Sequence, residues 1–233
     1  SRNNISYFFK PQKLGGQANM LINVDGYKRQ SSIDGNLGRD ALSANIALKW
    51  RRNFMKRSGG IIGLRSITSG NLKKYYDDSN QEKLLSQVRQ ISSLQYSMPF
   101  LRQIGSNSMF YEPKMQIIYS IPVSVSEPDE DSKTSELSYS NFDELNHSYG
   151  SSLLEKGLRL QSSLKNSYKT QKGTSTDLFI GNILKFNSNT AFHEGSGLGS
   201  SSSLNIGSLK FSFIDNFSVR AEVLADSNFK ITR

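Results

Sequence analysis

Along most of the chain apolar and polar residues alternate with a period of two, the spacing of a β-strand with one apolar and one wet face. Gln17 to Tyr27 sets Ala18, Met20, Ile22, Val24 and Gly26 against Gln17, Asn19, Leu21, Asn23 and Asp25. Ala41 to Phe54 carries Leu42, Ala44, Ile46, Leu48 and Trp50 on one face, with Ser43, Asn45, Lys49 and Arg51 opposite. Lys114 to Val125 places Met115, Ile117, Tyr119, Ile121, Val123 and Val125 against Gln116, Ser120 and Ser124. Gly157 to Tyr168 offers Leu158, Leu160, Ser162 and Leu164 against Arg159, Gln161, Ser163 and Lys165. Asp177 to Phe186 is a further short run. Leu204 to Phe213 aligns Leu204, Ile206, Leu209, Phe211 and Phe213 with a break near Gly207, and Asn216 to Ala225 alternates Phe217, Val219, Ala221, Val223 and Ala225 with Ser218, Arg220 and Glu222. Helical periodicity is scarce. Its best case is Gln81 to Gln95, where Leu84, Leu85, Val88, Ile91 and Leu94 approximate a period of 3.6, although Val88 onward also suits a wet-faced strand.

About ten such segments of roughly 9–12 residues exceed the usual soluble strand and match a tilted strand that crosses a bilayer. In a soluble sandwich the apolar face meets a second sheet. In a membrane barrel it meets lipid, and the wet face lines a polar lumen. Connections alternate between short Gly-rich turns, such as Lys13-Leu14-Gly15-Gly16 and Arg57-Ser58-Gly59-Gly60, and long polar loops. That is the pattern of barrel turns and loops. The longest connection is the polar loop 126–155; a linker between domains competes for 126–140, but the strand habit resumes afterwards. The expected fold class is all-β, an antiparallel transmembrane β-barrel, with 1–233 a single barrel segment and no separate domain boundary.

Composition fits this picture. Hydrophobic residues make up only 36%, and the shortfall is filled by 39 Ser and 19 Asn rather than by charge, as a wall with one wet face requires. The absence of cysteine excludes disulfide scaffolds, thiolate zinc sites and cysteine nucleophiles within the chain. The first residues read as mid-protein sequence rather than as a signal peptide. Residues 1–126 carry 18 Lys and Arg against 7 Asp and Glu, whereas 127–233 carry 11 against 13. A basic half suits nucleic acid, anionic lipid or a polar lumen. The stretch Lys49, Arg51, Arg52, Lys56 and Arg57 is interleaved with Trp50 and Phe54, as in an RNA-binding patch or an interfacial aromatic girdle. Signals for chemistry fail. The acidic run Glu127, Asp129, Glu130 and Asp131 lacks the glycine and terminal glutamate of a calcium loop. Asp143 and Glu144 are adjacent and point apart in an extended chain, Ser148 beside His147 lies in no nucleophile elbow, and Gly195 to Gly199 lacks the Lys-Ser/Thr of a phosphate loop.

From Met98 to Val223 the motif order resembles the C-terminal barrel region of the LptD (organic solvent tolerance protein) family, most closely its alphaproteobacterial form. Pro99-Phe100 and Pro113-Lys-Met-Gln116 come first, then Glu130-Asp131 and Ser140-Asn141-Phe142-Asp143-Glu144-Leu145-Asn146. Gly150 and Glu155-Lys-Gly157-Leu-Arg159 follow, then Phe192-His-Glu194-Gly195-Ser-Gly197-Leu198 and Asp215-Asn216-Phe217-Ser-Val219-Arg220. The sequence departs from the family where Ser138 and Tyr139 replace acidic residues and where Asn146-His147 replaces an Asn-Arg pair.

The resemblance implies a barrel of about 26 strands, of which this chain is an internal part. It also implies insertion of lipopolysaccharide into the outer leaflet of the bacterial outer membrane, without bond chemistry, cofactor or metal. The implied partners are lipopolysaccharide, an LptE-like plug lipoprotein, an LptA-like periplasmic bridge and outer-membrane lipid, with no nucleic acid. Arg51, Arg52, Arg159 and Arg220 are the candidate lumen or lipopolysaccharide contacts. Asn141, Asn146, Glu155, Gly157, Glu194, Gly195, Asp215 and Asn216 are the family-motif loop residues. A general diffusion porin and a soluble basic nucleic-acid-binding module are the competing readings.

Overall fold

The structure is a computed structural model, and it describes residues 2–27, 40–76, 82–121, 136–147, 155–186, 204–213, 217–226 and 231. These residues form eleven strands: β1 (Arg2–Phe9), β2 (Gln17–Tyr27), β3 (Asp40–Met55), β4 (Ile61–Tyr76), β5 (Glu82–Ser97), β6 (Phe100–Ile104), β7 (Asn107–Ser120), β8 (Gly157–Lys169), β9 (Ser175–Lys185), β10 (Leu204–Phe213) and β11 (Phe217–Ala225). They share one sheet in the order β1-β2-β3-β4-β5-β7-β8-β9-β10-β11, with β6 paired to β7. Every pair whose register is described is antiparallel. Among the described residues no helix is long and apolar enough to cross a membrane, which says nothing of strands.

Consecutive antiparallel strands send alternate connections to opposite ends. One end carries tight turns with glycine at positive φ, including Gly59 (85°), Gly105 (60°) and Gly173 (85°), where a side chain would be strained. At the turn of Gly173, Gly173 N donates to Thr170 O at 3.1 Å and Thr170 N to Thr174 O at 2.9 Å. Aromatic pairs lie near strand ends: Tyr7 with Phe9 at 5.8 Å in one compact unit, and Phe100 with Tyr111 at 6.2 Å and Phe213 with Phe217 at 6.3 Å in the other. Rings that tolerate both water and hydrocarbon suit a membrane boundary.

Two compact units are distinguished. The first, Ser1–Arg52 with Arg65–Ser92 and Ile121–Glu130, contains the β1-β2-β3 register, in which Met20 faces Leu48 and Ile22 faces Ile46, while Asn23 faces Asn45. The second is Asn53–Leu64 with Ser93–Ser120 and Asp131–Arg233. There β6 follows the line of β5 along β7, since Met98 N donates to Pro113 O at 3.1 Å and Phe100 pairs with Tyr111. Pro99 has no N–H to continue the ladder, which accounts for the interruption between β5 and β6.

The alternation expected from the sequence holds in β3, β7 and β8; in β2 the expected apolar face holds both buried Ala18 and exposed Val24, and in β11 residues 217–223 are all exposed whereas Leu224 and Ala225 are both buried. Ile117 is 45% exposed and its neighbour Ile118 is 0% exposed, so adjacent isoleucines lie on opposite faces. Each unit exposes large apolar residues, Ile46 and Leu48 in the first and Met115, Ile117, Ile180 and Val219 in the second, far more apolar area than a water-facing surface carries. Three further expectations are corrected. Gln81 to Gln95 is not a helix: residues 82–97 are β5, with Leu84, Val88 and Leu94 exposed on one face and Ile91 buried on the other, so the apparent helical period mixes two faces. Strands β3, β4 and β5 run 16 residues each, longer than expected. In β10 the apolar set changes face at Gly207 without a break in register: Leu204 and Ile206 are buried, whereas Leu209 and Phe213 lie on the exposed face.

Placing a charge on the exposed face tests this assignment. Ile180→Arg, in the middle of β9, is expected to lower barrel stability by about 2–4 kcal/mol, the cost of a cation facing hydrocarbon. Ser212→Arg, on the wet face of β10, should change it by less than about 0.5 kcal/mol. Urea unfolding of the full-length protein in lipid measures both, and equal losses would refute the two-faced wall.

Candidate functional site: a strap latched across the wet face

Residues 136–147, within the connection from β7 to β8, fold into a compact strap. Asn141 shapes it: Oδ1 accepts from Ser138 N at 2.8 Å, Nδ2 donates to Glu136 O at 2.8 Å, and Asn141 O accepts from Glu144 N at 3.0 Å. A short amide that satisfies nearby backbone stands in for a regular element. The tight fold directs Leu137, Phe142 and Leu145 to one side, and all three are buried.

Leu137 and Phe142 join Phe179, Ile183, Leu204, Ile206 and Leu224, from the wet face of β9, β10 and β11, in one apolar cluster, with Tyr139 against it. Phe142 and Tyr139 meet Phe179 edge-on, at 5.1 and 4.9 Å between ring centres. Burial of each large side chain contributes roughly 1.5–3 kcal/mol. Space for the Phe142 ring comes from Gly181, where an added Cβ would lie 2.6 Å from that ring. The strap therefore explains the face change in β10 and the apolar wet-face positions of β9.

Polar contacts fix its edges. Lys114 of β7 pairs with Asp143 at 2.6 Å. Glu222 of β11 accepts from Tyr139 N at 3.1 Å, and the Arg220 guanidinium lies 4.7 Å from the centre of the Tyr139 ring. The strap thus engages both β7 and β11.

Its C-terminal end is latched by a buried ionic cluster. Glu155 accepts from the His147 ring and from Arg159, and it also accepts from His147 N at 3.1 Å. Because a carboxylate only accepts, the His147 proton facing it sits on Nδ1. Arg159 donates its other terminal nitrogen to Leu145 O, and Asn146 Oδ1 accepts from Glu155 N at 3.2 Å. Burial by itself would raise the Glu155 carboxyl. Attraction to His147 and then to Arg159, with the histidine hydrogen bond, more than offsets it and holds the carboxyl well below the ordinary carboxylate range.

The sequence-singled residues separate into groups. Glu155, Arg159, Asn146 and Asn141 come together in or beside the latch, and Gly157, at φ 86°, starts β8 next to it. Arg220 reaches the strap through Tyr139. Arg51 and Arg52 lie elsewhere: Arg51 holds Gln17 Oε1 at 2.8 Å and Arg52 holds Leu14 O at 2.6 Å, beside Trp50, whose ring N–H donates to Gly15 O at 3.0 Å. Glu194, Gly195, Asp215 and Asn216 lie outside the described residues, as does the acidic run 127–131. Among the described residues no group of three His, Asp or Glu side chains is placed to hold a metal ion. Sequence reasoning met Phe142 and His147 only within motifs and gave them no role in the site, and it did not single out Phe179, Gly181 and Ile183. The available signal was apolar Phe179 and Ile183 at positions where alternation calls for polar ones.

Two substitutions test the seating in the full-length protein. Gly181→Val is expected to unseat the strap at a cost of about 1–3 kcal/mol, read as faster proteolytic cleavage within 136–147. Arg159→Met leaves Glu155 buried without its cation and should cost about 3–5 kcal/mol. A depressed carboxyl contributes its stability fully above the unfolded value of 4.5 and loses it as pH falls through the lower folded value. Strap protection should therefore be equal at pH 7 and pH 5 and weaken only below about 4.5. Loss of protection between pH 7 and 5 would contradict the latch.

No curated protein matches the chain. The family model described as LptD, LPS transport system D, matches residues 4–232, nearly the whole chain. Its members are outer-membrane β-barrels that serve lipopolysaccharide transport and assembly. With an all-β sheet, an exposed apolar face and that match, the chain belongs to the LptD family.

Proposed function

We propose that residues 1–233 are one continuous stretch of barrel wall through which lipopolysaccharide is inserted into the outer leaflet. The observation that carries this reading is the match over residues 4–232 on a sheet with one lipid-compatible face and one polar face. Transport here needs no bond chemistry. Acyl chains move to lipid because their burial is favourable there, and sugars stay with the polar lumen because desolvating their hydroxyls costs energy. The strap occupies part of the lumen face and holds it narrow beside β7 to β11. Arg220 and the turn-end Arg51 and Arg52 serve the polar path, while Arg159 anchors the strap from beneath. An LptE-like lipoprotein fills the remaining lumen, and an LptA-like bridge delivers the glycolipid from the periplasm. The basic charge of residues 1–126 then faces an anionic glycolipid rather than nucleic acid.

Depleting the parent protein from cells is expected to reduce surface lipopolysaccharide and to raise outer-membrane permeability to large hydrophobic antibiotics. Unchanged permeability together with unchanged surface lipopolysaccharide would refute the proposal.

A further inference from the structure

Beside the strap, on the same wet face, lies a cleft of about 240 Å³ whose lining includes Glu112 and Lys114 of β7, Ser163 and Lys165 of β8, and Tyr139 and Asp143 of the strap. A second, smaller cleft adjoins it, sharing Tyr139 and Lys165 and adding Lys210 of β10 and Arg220 of β11. The cations in this region differ in their engagements. Lys114 is paired with Asp143, and Arg220 lies over Tyr139. Among the described residues the ion pairs involve neither Lys165 nor Lys210. Asp177, opposite Lys210 in register, accepts from Ser167 at 2.5 Å.

The geometry points to a subsite in the larger cleft for one anionic sugar unit, a sugar bearing phosphate or carboxylate groups, held by Lys165, with Lys210 in the adjoining smaller cleft as the second cation. The subsite rests on the transport reading above and gives that reading a binding position. Three features select the ligand class. A lining this charged excludes an acyl chain. Carboxylates at Glu112 and Asp143 repel a bare polyanion but accept hydrogen bonds from sugar hydroxyls, and Ser163 adds a hydroxyl that both donates and accepts. Tyr139, its ring already met by Phe179 edge-on at 4.9 Å and by the Arg220 guanidinium at 4.7 Å, adds a phenol hydroxyl that can donate to or accept from a sugar. At about 240 Å³ the cleft is below the roughly 300–1,000 Å³ that encloses a drug-sized molecule, so it takes one unit of a longer chain. An incoming anion also competes with Asp143 for Lys114, which ties occupancy of the subsite to the edge of the strap.

Calorimetry on the purified full-length protein in detergent tests this with three probes: deacylated lipopolysaccharide oligosaccharide, the same oligosaccharide after phosphatase treatment, and inorganic phosphate. The first is expected to bind and the second to bind at least about tenfold more weakly, the scale of losing a charge-assisted contact. Lys165→Gln with Lys210→Gln should weaken the first by a similar factor without lowering the melting temperature, and Lys165→Arg with Lys210→Arg should restore most of the affinity. Equal affinity in the Gln double variant would overturn the subsite, and so would inorganic phosphate binding as tightly as the oligosaccharide. Cell depletion separates the two readings. Lost surface lipopolysaccharide with unaltered binding by the Gln variant refutes the subsite alone, whereas depletion without effect refutes transport and leaves the calorimetry to stand by itself.

Discussion

Hydrocarbon offers no hydrogen-bond partner to a peptide group, so a chain that crosses a bilayer as strands must pair every strand with a neighbour. Most of what is seen in this protein follows from that constraint. Pairing fixes the backbone, the pleat sends alternate side chains to opposite faces, and those faces meet different solvents. The result is a sheet whose apolar residues point away from the polar side. It therefore buries little of its own hydrophobic material, and a hydrophobic share of 36% is enough. Tight turns with positive-φ glycines join strands such as β6 and β7, with rings nearby.

The strap is a local reversal of this arrangement. Where it lies, the wet face no longer meets water, and the sheet answers with Phe179, Ile183, Leu204 and Ile206. The cluster is the nearest thing to a soluble protein's core among the described residues, and it is built between a loop segment and a wall. Its ionic latch is expensive to bury: Glu155 accepts from two cation-capable side chains and a backbone amide, while the buried Arg159 Nε has no hydrogen-bond partner. Such a cluster specifies one seating of the strap more than it adds stability.

Legibility in the sequence follows the same division. Strands β3, β7 and β8 carry an exposed apolar face and a polar one, so their alternation could be read residue by residue. Strand β5 misled because Leu85 and Ile91 of one face fall between Leu84, Val88 and Leu94 of the other, imitating a helical stripe. The break in β10 at Gly207 was visible, but its cause, a partner segment remote in sequence, was not. Of the candidate site, Glu155, Arg159, Asn141 and Asn146 were legible through motif order. The residues that give them a purpose, Phe142, His147 and Gly181, were not, because their roles depend on a contact that no local pattern encodes.

Since the strap begins after β7 and ends before β8, which are adjacent in the sheet, yet reaches β11 through Glu222, it acts on the wall as a cross-brace. Sliding along the strand axis breaks every hydrogen bond of a ladder at once, but it can end in a shifted register with the backbone bonds remade. A slip of one residue between β9 and β10 would send Leu204 and Ile206 to the opposite face and split them from Phe179 and Ile183. Because the strap grips side chains from both strands at once, sliding has to break its packing as well as the ladder. The loop segment thereby penalises a shifted register of β9 and β10 that backbone pairing alone would accept.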